Sequence, residues 1–341
     1  MFDPKYNIST KLLANIKRIT ELVYELNHLR FSKVVLAELE KNANEISVFS
    51  STSIEGNPLP ITEVKKILKN KPEHARDSEK EVLNYNKALV DLKDNVKKEI
   101  SFNFSFILDV HEKVTDGLVP KLDCGKVRQK PVFVNDPIVR KTIYWPPDHN
   151  EAGDLLKELV FFVKRNKNLD PLLLAGIFHK QFVIIHPFID GNGRTVRLLT
   201  QVLLASLGLD LFDLFSFENY YNKNVQKYFE MVGVKGNYYD IHEDVDFTIW
   251  LEYFTDGIID ELLRVQKELN KQNITPETEI KTYHKSIIRF IEENGFIRDS
   301  DYAKLTERAR STRNVDFKKL IDLGYIESHG KGKGMYYKLK V

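Results

Sequence analysis

The chain has 341 residues, 42% hydrophobic and 29% charged, with a net charge of +2. That is the make-up of a globular protein with a sizeable core and room for one large and one small domain, and the near balance of charge gives no global pull toward nucleic acid. Its single cysteine, Cys124, excludes an intrachain disulfide framework and a cysteine metal site.

One cysteine suits a reducing compartment. The Met-Phe-Asp-Pro start lacks a basic segment followed by an apolar run, and runs such as PLLLAGIF are too short to span a bilayer. The expectation is a cytoplasmic protein with no membrane partner.

Taken in chain order, the first two-thirds reads as successive helices. Between Ser9 and Leu29 the apolar residues Leu12, Leu13, Ile16, Ile19, Leu22 and Val23 recur with a helical period, and residues 31–49, 62–69 and 78–98 continue the pattern. Residues 125–147 break it. The run PVFVNDPIVRKTIYWPPDH mixes β-branched and aromatic residues around Asn135-Asp136-Pro137, which predicts a β-hairpin or extended flap. Next comes a helix with Asp170 as N-cap and Pro171 at its first position. It is apolar on nearly every face through Ile185, so it must be buried. It ends at His186-Pro187, because proline restricts the residue before it. A second buried helix starts near Arg194 and runs through Leu198, Leu199, Val202 and Leu203 to a cap at Gly208. A polar linker over 271–279 holds Pro276. Beyond it, Ile287, Ile288 and Ile291 mark one helix, a short one follows Asp299 or Ser300, and a third covers Asn314–Leu323 before Gly324. A strand–turn–strand pattern ends the chain, so residues 276–341 are expected to form a winged helix-turn-helix domain.

The chemistry concentrates between the two buried helices, in HPFIDGNGRTVR from His186 to Arg197. Gly191 and Gly193 let the backbone turn sharply and let an anion approach. Successive amide N–H groups at a helix N-terminus favour phosphate. Arg194 and Arg197, three apart on the first turn, can clamp a polyphosphate. Asp190 is a hard oxygen ligand suited to Mg²⁺ shared with phosphates. His186 is the group in this loop that can accept a proton near neutral pH. Each has a plainer reading: a satisfied loop histidine, a turn, a solvated pair of arginines. Their joint occurrence between two buried helices points instead to transfer from a nucleotide.

The loop resembles the Fic family motif at every defined position, and the likeness extends over roughly residues 1–270. FHKQFVII before the loop, Tyr144-Trp145-Pro146-Pro147 as the end of a flap, and Tyr228 and Trp250 after the loop agree with it. The resemblance implies a mainly α protein: a Fic-type helical bundle with a small β-hairpin flap and a C-terminal winged helix, as in one bacterial subgroup. Its divisions would be an N-terminal helical region over 1–100, a catalytic core over 101–270 and the winged helix over 276–341. It further implies AMP transfer from ATP, with Mg²⁺, onto a Ser, Thr or Tyr hydroxyl of a protein. His186 would be the base, Phe188 the loop anchor and Asp190 the Mg²⁺ ligand. Gly191, Asn192, Gly193, Arg194 and Arg197 would hold phosphates. Tyr144 and Tyr228 are candidate adenine or target contacts. The flap would lay a target segment alongside itself by strand pairing.

Residues 44–56 contain Ser51-x-x-x-Glu55-Gly56, which resembles the family's inhibitory pattern. Glu55 would pair with Arg197, even bidentately, and withhold it from the γ-phosphate. The plainer reading, a helix C-terminus closed by Gly56, is compatible with this. Partners are then a target protein and the chain itself by automodification; a homodimer is also compatible. Other readings are transfer of UMP, removal of AMP using Glu55, or a DNA-binding regulator whose Fic fold senses nucleotide. The last rests on the tail: residues 276–341 hold 14 Lys and Arg against 10 Asp and Glu. Arg308, Arg310, Arg313, Lys318 and Lys319 surround the third helix there, and Lys331 and Lys333 lie in the turn, the footprint of a DNA partner.

Overall fold

The computed structural model describes residues 2–29, 33–96, 101–135, 141–209, 212–272 and 280–340. The expected turn at Asp136-Pro137, the linker around Pro276, residues 31–32 of the second helix and the side chain of Lys333 lie outside the described residues. The chain divides into two compact units, one of Met1–Asn27 with Asn42–Leu263, the other of His28–Lys41 with Arg264–Val341. Most of residues 1–100 belong to the same unit as 101–263, and one boundary between the units lies inside a helix at 263–264.

The larger unit holds helices α1 (Thr10–Asn27), the end of α2 (Lys33–Ile54), α3 (Ile61–Asn70), α4 (Asp77–Val96) and α5 (Phe104–Thr115). Strands β1 (Val134–Asn135) and β2 (Thr142–Trp145) follow, then helices α6 (His149–Arg165), α7 (Pro171–Ile185), α8 (Asn192–Leu204), α9 (Glu218–Asn222) and α10 (Val225–Val232). The chain continues through β3 (Gly236–Asn237), α11 (Tyr238–Ile241) and the start of α12 (Thr248–Gln272). β2 is central in a three-stranded sheet, antiparallel to β1 and parallel to β3.

The core is built on α7 and α8, which pack against each other and against α4, α5 and α6. Asp170 caps α7 by accepting the Leu172 N–H at 2.8 Å, and Pro171 occupies the first turn, where its missing donor costs nothing. Gly176 lets α12 approach α7: a Cβ there would lie 2.6 Å from Leu251 Cδ2. The Trp250 indole closes the same contact by donating to the Gly176 carbonyl at 2.8 Å. α8 ends at Leu204, earlier than expected, and Gly208 with φ 73° ends the 3₁₀ turn that follows.

The smaller unit contains α13 (Thr282–Asn294), α14 (Asp299–Leu305), α15 (Arg310–Asp322) and the antiparallel pair β4 (Ile326–His329) and β5 (Tyr336–Leu339). Ile297 bridges to Tyr337 on the other side of β5. Ile287, Ile291, Ile297, Tyr302, Phe317, Leu320, Ile326 and Tyr337 form its own core. Among the described residues no helix is long and apolar enough to cross a membrane.

Candidate active site

The last residue of α7 sets the geometry. His186 caps the helix with φ 49° and ψ 59°, left-handed values that a residue with a Cβ adopts only under constraint. Its half-buried ring brings Nδ1 within 3.3 Å of the Val183 carbonyl. A carbonyl can only accept, so Nδ1 carries the proton and Nε2 keeps its lone pair. Burial pushes the imidazole down to about 4, with the nearby Arg128 charge adding to the effect, so the ring is neutral at physiological pH.

The loop between α7 and α8 is fixed from inside. Phe188 is fully buried and stacks on His111 with ring centroids 3.7 Å apart. Asn192 uses both ends of its amide on the Phe188 backbone, accepting from N at 3.0 Å and donating to O at 2.9 Å. Its side chain therefore shapes the loop, and its main-chain N–H stands at the start of α8. Gly191, with φ 78°, admits no other residue comfortably, since a Cβ would lie 2.6 Å from Thr115 Cγ2. His111 contributes a further hold. The Gly125 N–H donates to its Nδ1 at 3.1 Å, so its Nε2 donates to the Asp190 carbonyl at 2.9 Å. Burial lowers its pKa to about 4 and keeps it neutral.

Arg194 and Arg197 are both buried and not a solvated face. They diverge. Arg194 pairs with Glu81 of α4 at 2.6 Å and with the Asp190 carboxylate at 3.3 Å, while its Nε is buried without a hydrogen bond. Arg197 turns to α2: Nε donates to Ser51 Oγ and Nη2 to the Ser51 carbonyl, both at 2.8 Å. Nη2 also lies 2.8 Å from Glu55 Oε1. The contact with Glu55 runs through Nη2 alone, shared with the Ser51 carbonyl, while Nη1 is buried without a hydrogen bond. Burial opposes the Arg197 charge, but the Glu55 carboxylate together with the Tyr228 and Tyr85 hydroxyls outweighs it and raises the pKa. The same carboxylate lies over Gly193: a Cβ added there would collide with Glu55 Oε1 and come within 3.0 Å of Arg197 Nη1. An anion already sits at the N-terminus of α8, and it belongs to the chain.

Glu55 is placed by the end of α2. Gly56, with φ 91°, donates to Ser53 O at 2.9 Å and Asn57 N donates to Thr52 O at 3.1 Å, the paired bonds of a Schellman ending. Asn57 then donates to Glu81 Oε2 at 2.6 Å. Glu81 thereby links the segment after Glu55 to Arg194.

Tyr144 and Tyr228 are held in the interior, Tyr228 beside Arg197. Tyr144 is buried and its hydroxyl donates to the Ile184 carbonyl at 2.9 Å, pinning the flap to α7. Tyr228 is buried with its hydroxyl 2.9 Å from His179 Nε2. Both hydroxyls of these candidate adenine or target contacts are engaged in the interior. Trp250 is buried likewise. Three residues that sequence reasoning passed over are Glu81, His111 and Arg128. Their partners are 113, 79 and 58 positions away in the chain, and no local pattern marks such contacts.

A glycine-opened helix N-terminus, two buried arginines, an exposed carboxylate and a neutral imidazole thus meet at the start of α8. Residues 101–204 match the model of the Fic/DOC family. It is 26% identical over 220 residues to a protein adenylyltransferase Fic of Drosophila mojavensis, covering 59% of this chain and 42% of that one. The chain therefore spans less than half the length of that curated relative. Among solved structures, a Fic family protein from Desulfovibrio desulfuricans shares the fold over 99% of this chain and 98% of its own, with a TM-score of 0.64 and 20% identity. Fic-1 from C. elegans does so over 78% and 74%, with a TM-score of 0.57 and 22% identity.

Proposed function

We propose that the chain transfers AMP from ATP to a Ser, Thr or Tyr hydroxyl of a protein, and that Glu55 holds the site closed until it is displaced. The carrying observation is the Glu55 carboxylate resting on Gly193 and Arg197, where it stands in for a phosphate. A site that seats one anion on a helix N-terminus and a buried guanidinium suits another. The name borne by the Drosophila relatives favours ATP as donor and protein as acceptor.

The target oxygen attacks the α-phosphorus, the bond from that phosphorus to the bridging oxygen breaks, and pyrophosphate leaves. His186 Nε2 takes the hydroxyl proton. The main-chain N–H groups opening α8 receive the phosphates, with Arg194 and Arg197 along the chain toward the γ-phosphate. Asp190 would hold Mg²⁺: its side chain is 58% exposed, and one carboxylate beside a phosphate seat fits an ion that shares its shell with the substrate. When bound, the ion offsets charge on the phosphate oxygens.

A DNA-binding winged helix over 276–341 is the reading that the side chains favour least. Arg308 is held by Asp316 at 2.8 and 3.1 Å and Arg313 by Asp299 at 2.7 and 2.9 Å, so two of the arginines assigned to DNA are neutralised within the unit.

The test separates binding from chemistry. In a Glu55→Gly background, His186→Ala is expected to bind ATP within about 2-fold of the parent by calorimetry. Transfer of label from α-labelled ATP should fall by about 10²–10⁴-fold. Transfer at an undiminished rate would remove His186 as the base.

A further inference from the structure

Resting on that reading of His186, we propose that Arg128 is a positioning residue: its guanidinium clamps the His186 and Pro147 carbonyls together and so fixes the imidazole relative to the phosphate seat and the flap.

Three observations carry this. First, His186 is left-handed. Such a backbone is strained for a residue with a Cβ and must be held by its surroundings. Its carbonyl, turned out of the α7 ladder, is taken by Arg128 Nε at 2.8 Å. Second, the same guanidinium reaches the flap, donating through Nη2 to the Pro147 carbonyl and through Nη1 to the Lys130 carbonyl at 3.3 Å. The Arg128 main-chain N–H donates to Pro187 O at 2.9 Å, so backbone and side chain grip consecutive residues of the loop. Third, Arg128 is 1% exposed and its side-chain hydrogen bonds go to carbonyls alone. A buried cation satisfied by neutral oxygens is an expensive way to fill space. What this one adds is a planar fork that can hold several carbonyls in fixed directions, which an ammonium cannot reproduce. Its charge also opposes protonation of the imidazole next to it.

The experiment uses the full chain with Glu55→Gly, comparing Arg128→Met and Arg128→Lys by self-modification with ATP and Mg²⁺, alongside calorimetric ATP binding. Arg128→Met should lose about 100-fold in kcat, the scale of a misplaced catalytic group, with ATP affinity within about 2-fold. Arg128→Lys, keeping charge and one donor, should recover part of that loss. Unchanged kcat in Arg128→Met, or ATP affinity falling in step with kcat, overturns the assignment. If Arg128→Met does not fold, Arg128→Lys decides alone: about a tenfold lower kcat at constant ATP affinity supports the clamp, and parental kcat refutes it. His186→Ala run in parallel separates the two levels. Should it still transfer, the base reading fails. Should it be inert while Arg128→Met is fully active, only the clamp fails.

Discussion

At the scale of single residues, two histidines on and after α7 are kept neutral chiefly by burial. His179 is fully buried, with Nδ1 2.8 Å from Thr200 Oγ1 and Nε2 2.9 Å from the Tyr228 hydroxyl. Thr200 donates its own proton to the Val196 carbonyl at 2.7 Å. His179 Nδ1 therefore donates to Thr200, and Nε2 accepts from Tyr228. Burial and the charge of Arg197 push the His179 pKa well below its usual value, and burial pushes His186 to about 4. In the unfolded chain both titrate near 6.5. The unfolded state thus binds protons first as pH falls, so the stability from these neutral rings is present above pH 6.5 and is lost progressively from there toward pH 4. Thermal unfolding followed from pH 7.5 to 4.5 should show Tm falling below about pH 6.5, with a flatter slope in His179→Gln. Equal slopes in the two proteins would mean that His179 is not the group responsible.

At the scale of elements, the site depends on how helices end. α7 ends in a left-handed histidine, α8 begins after a left-handed glycine, and α2 ends in a Schellman turn whose cap residue is Glu55. The first two endings were legible in the sequence, because proline and glycine punctuate locally. The alignment of α2 against α8 was legible only through resemblance to a family, since Ser51 and Glu55 meet Arg197 across more than 140 positions. Gly56 tests the element directly. A Cβ there meets nothing within 4 Å, so Gly56→Ala acts through backbone strain alone, on the order of 1 kcal/mol. Loosening the last turn of α2 by that amount should raise basal self-modification by up to about 5-fold without touching any residue at the phosphate seat. Lower Tm with unchanged basal activity would show that the turn does not hold Glu55 in place.

At the scale of the whole molecule, the larger unit carries His186, the start of α8, Arg194, Arg197 and the Glu55 carboxylate over Gly193. The smaller unit is built around its own apolar core and a buried Asp316, which gathers Arg308 and the Tyr302 hydroxyl. Charge counting along the tail could not reveal this, because a cation spent on an internal carboxylate counts the same as one facing solvent. The flap's tie to α7 through Tyr144 and Arg128 was equally hidden, being set by hydrogen bonds to main-chain carbonyls that no residue pattern encodes. The central claim is that Glu55 occupies the place of a nucleotide phosphate in a transferase. Intact mass spectrometry of the parent and Glu55→Gly chains, each incubated with Mg²⁺ and an equimolar mixture of ATP, GTP, CTP and UTP, tests it most directly. Glu55→Gly should gain the mass of AMP while the parent stays largely unmodified. Equal modification of both chains, or none of either, would contradict it.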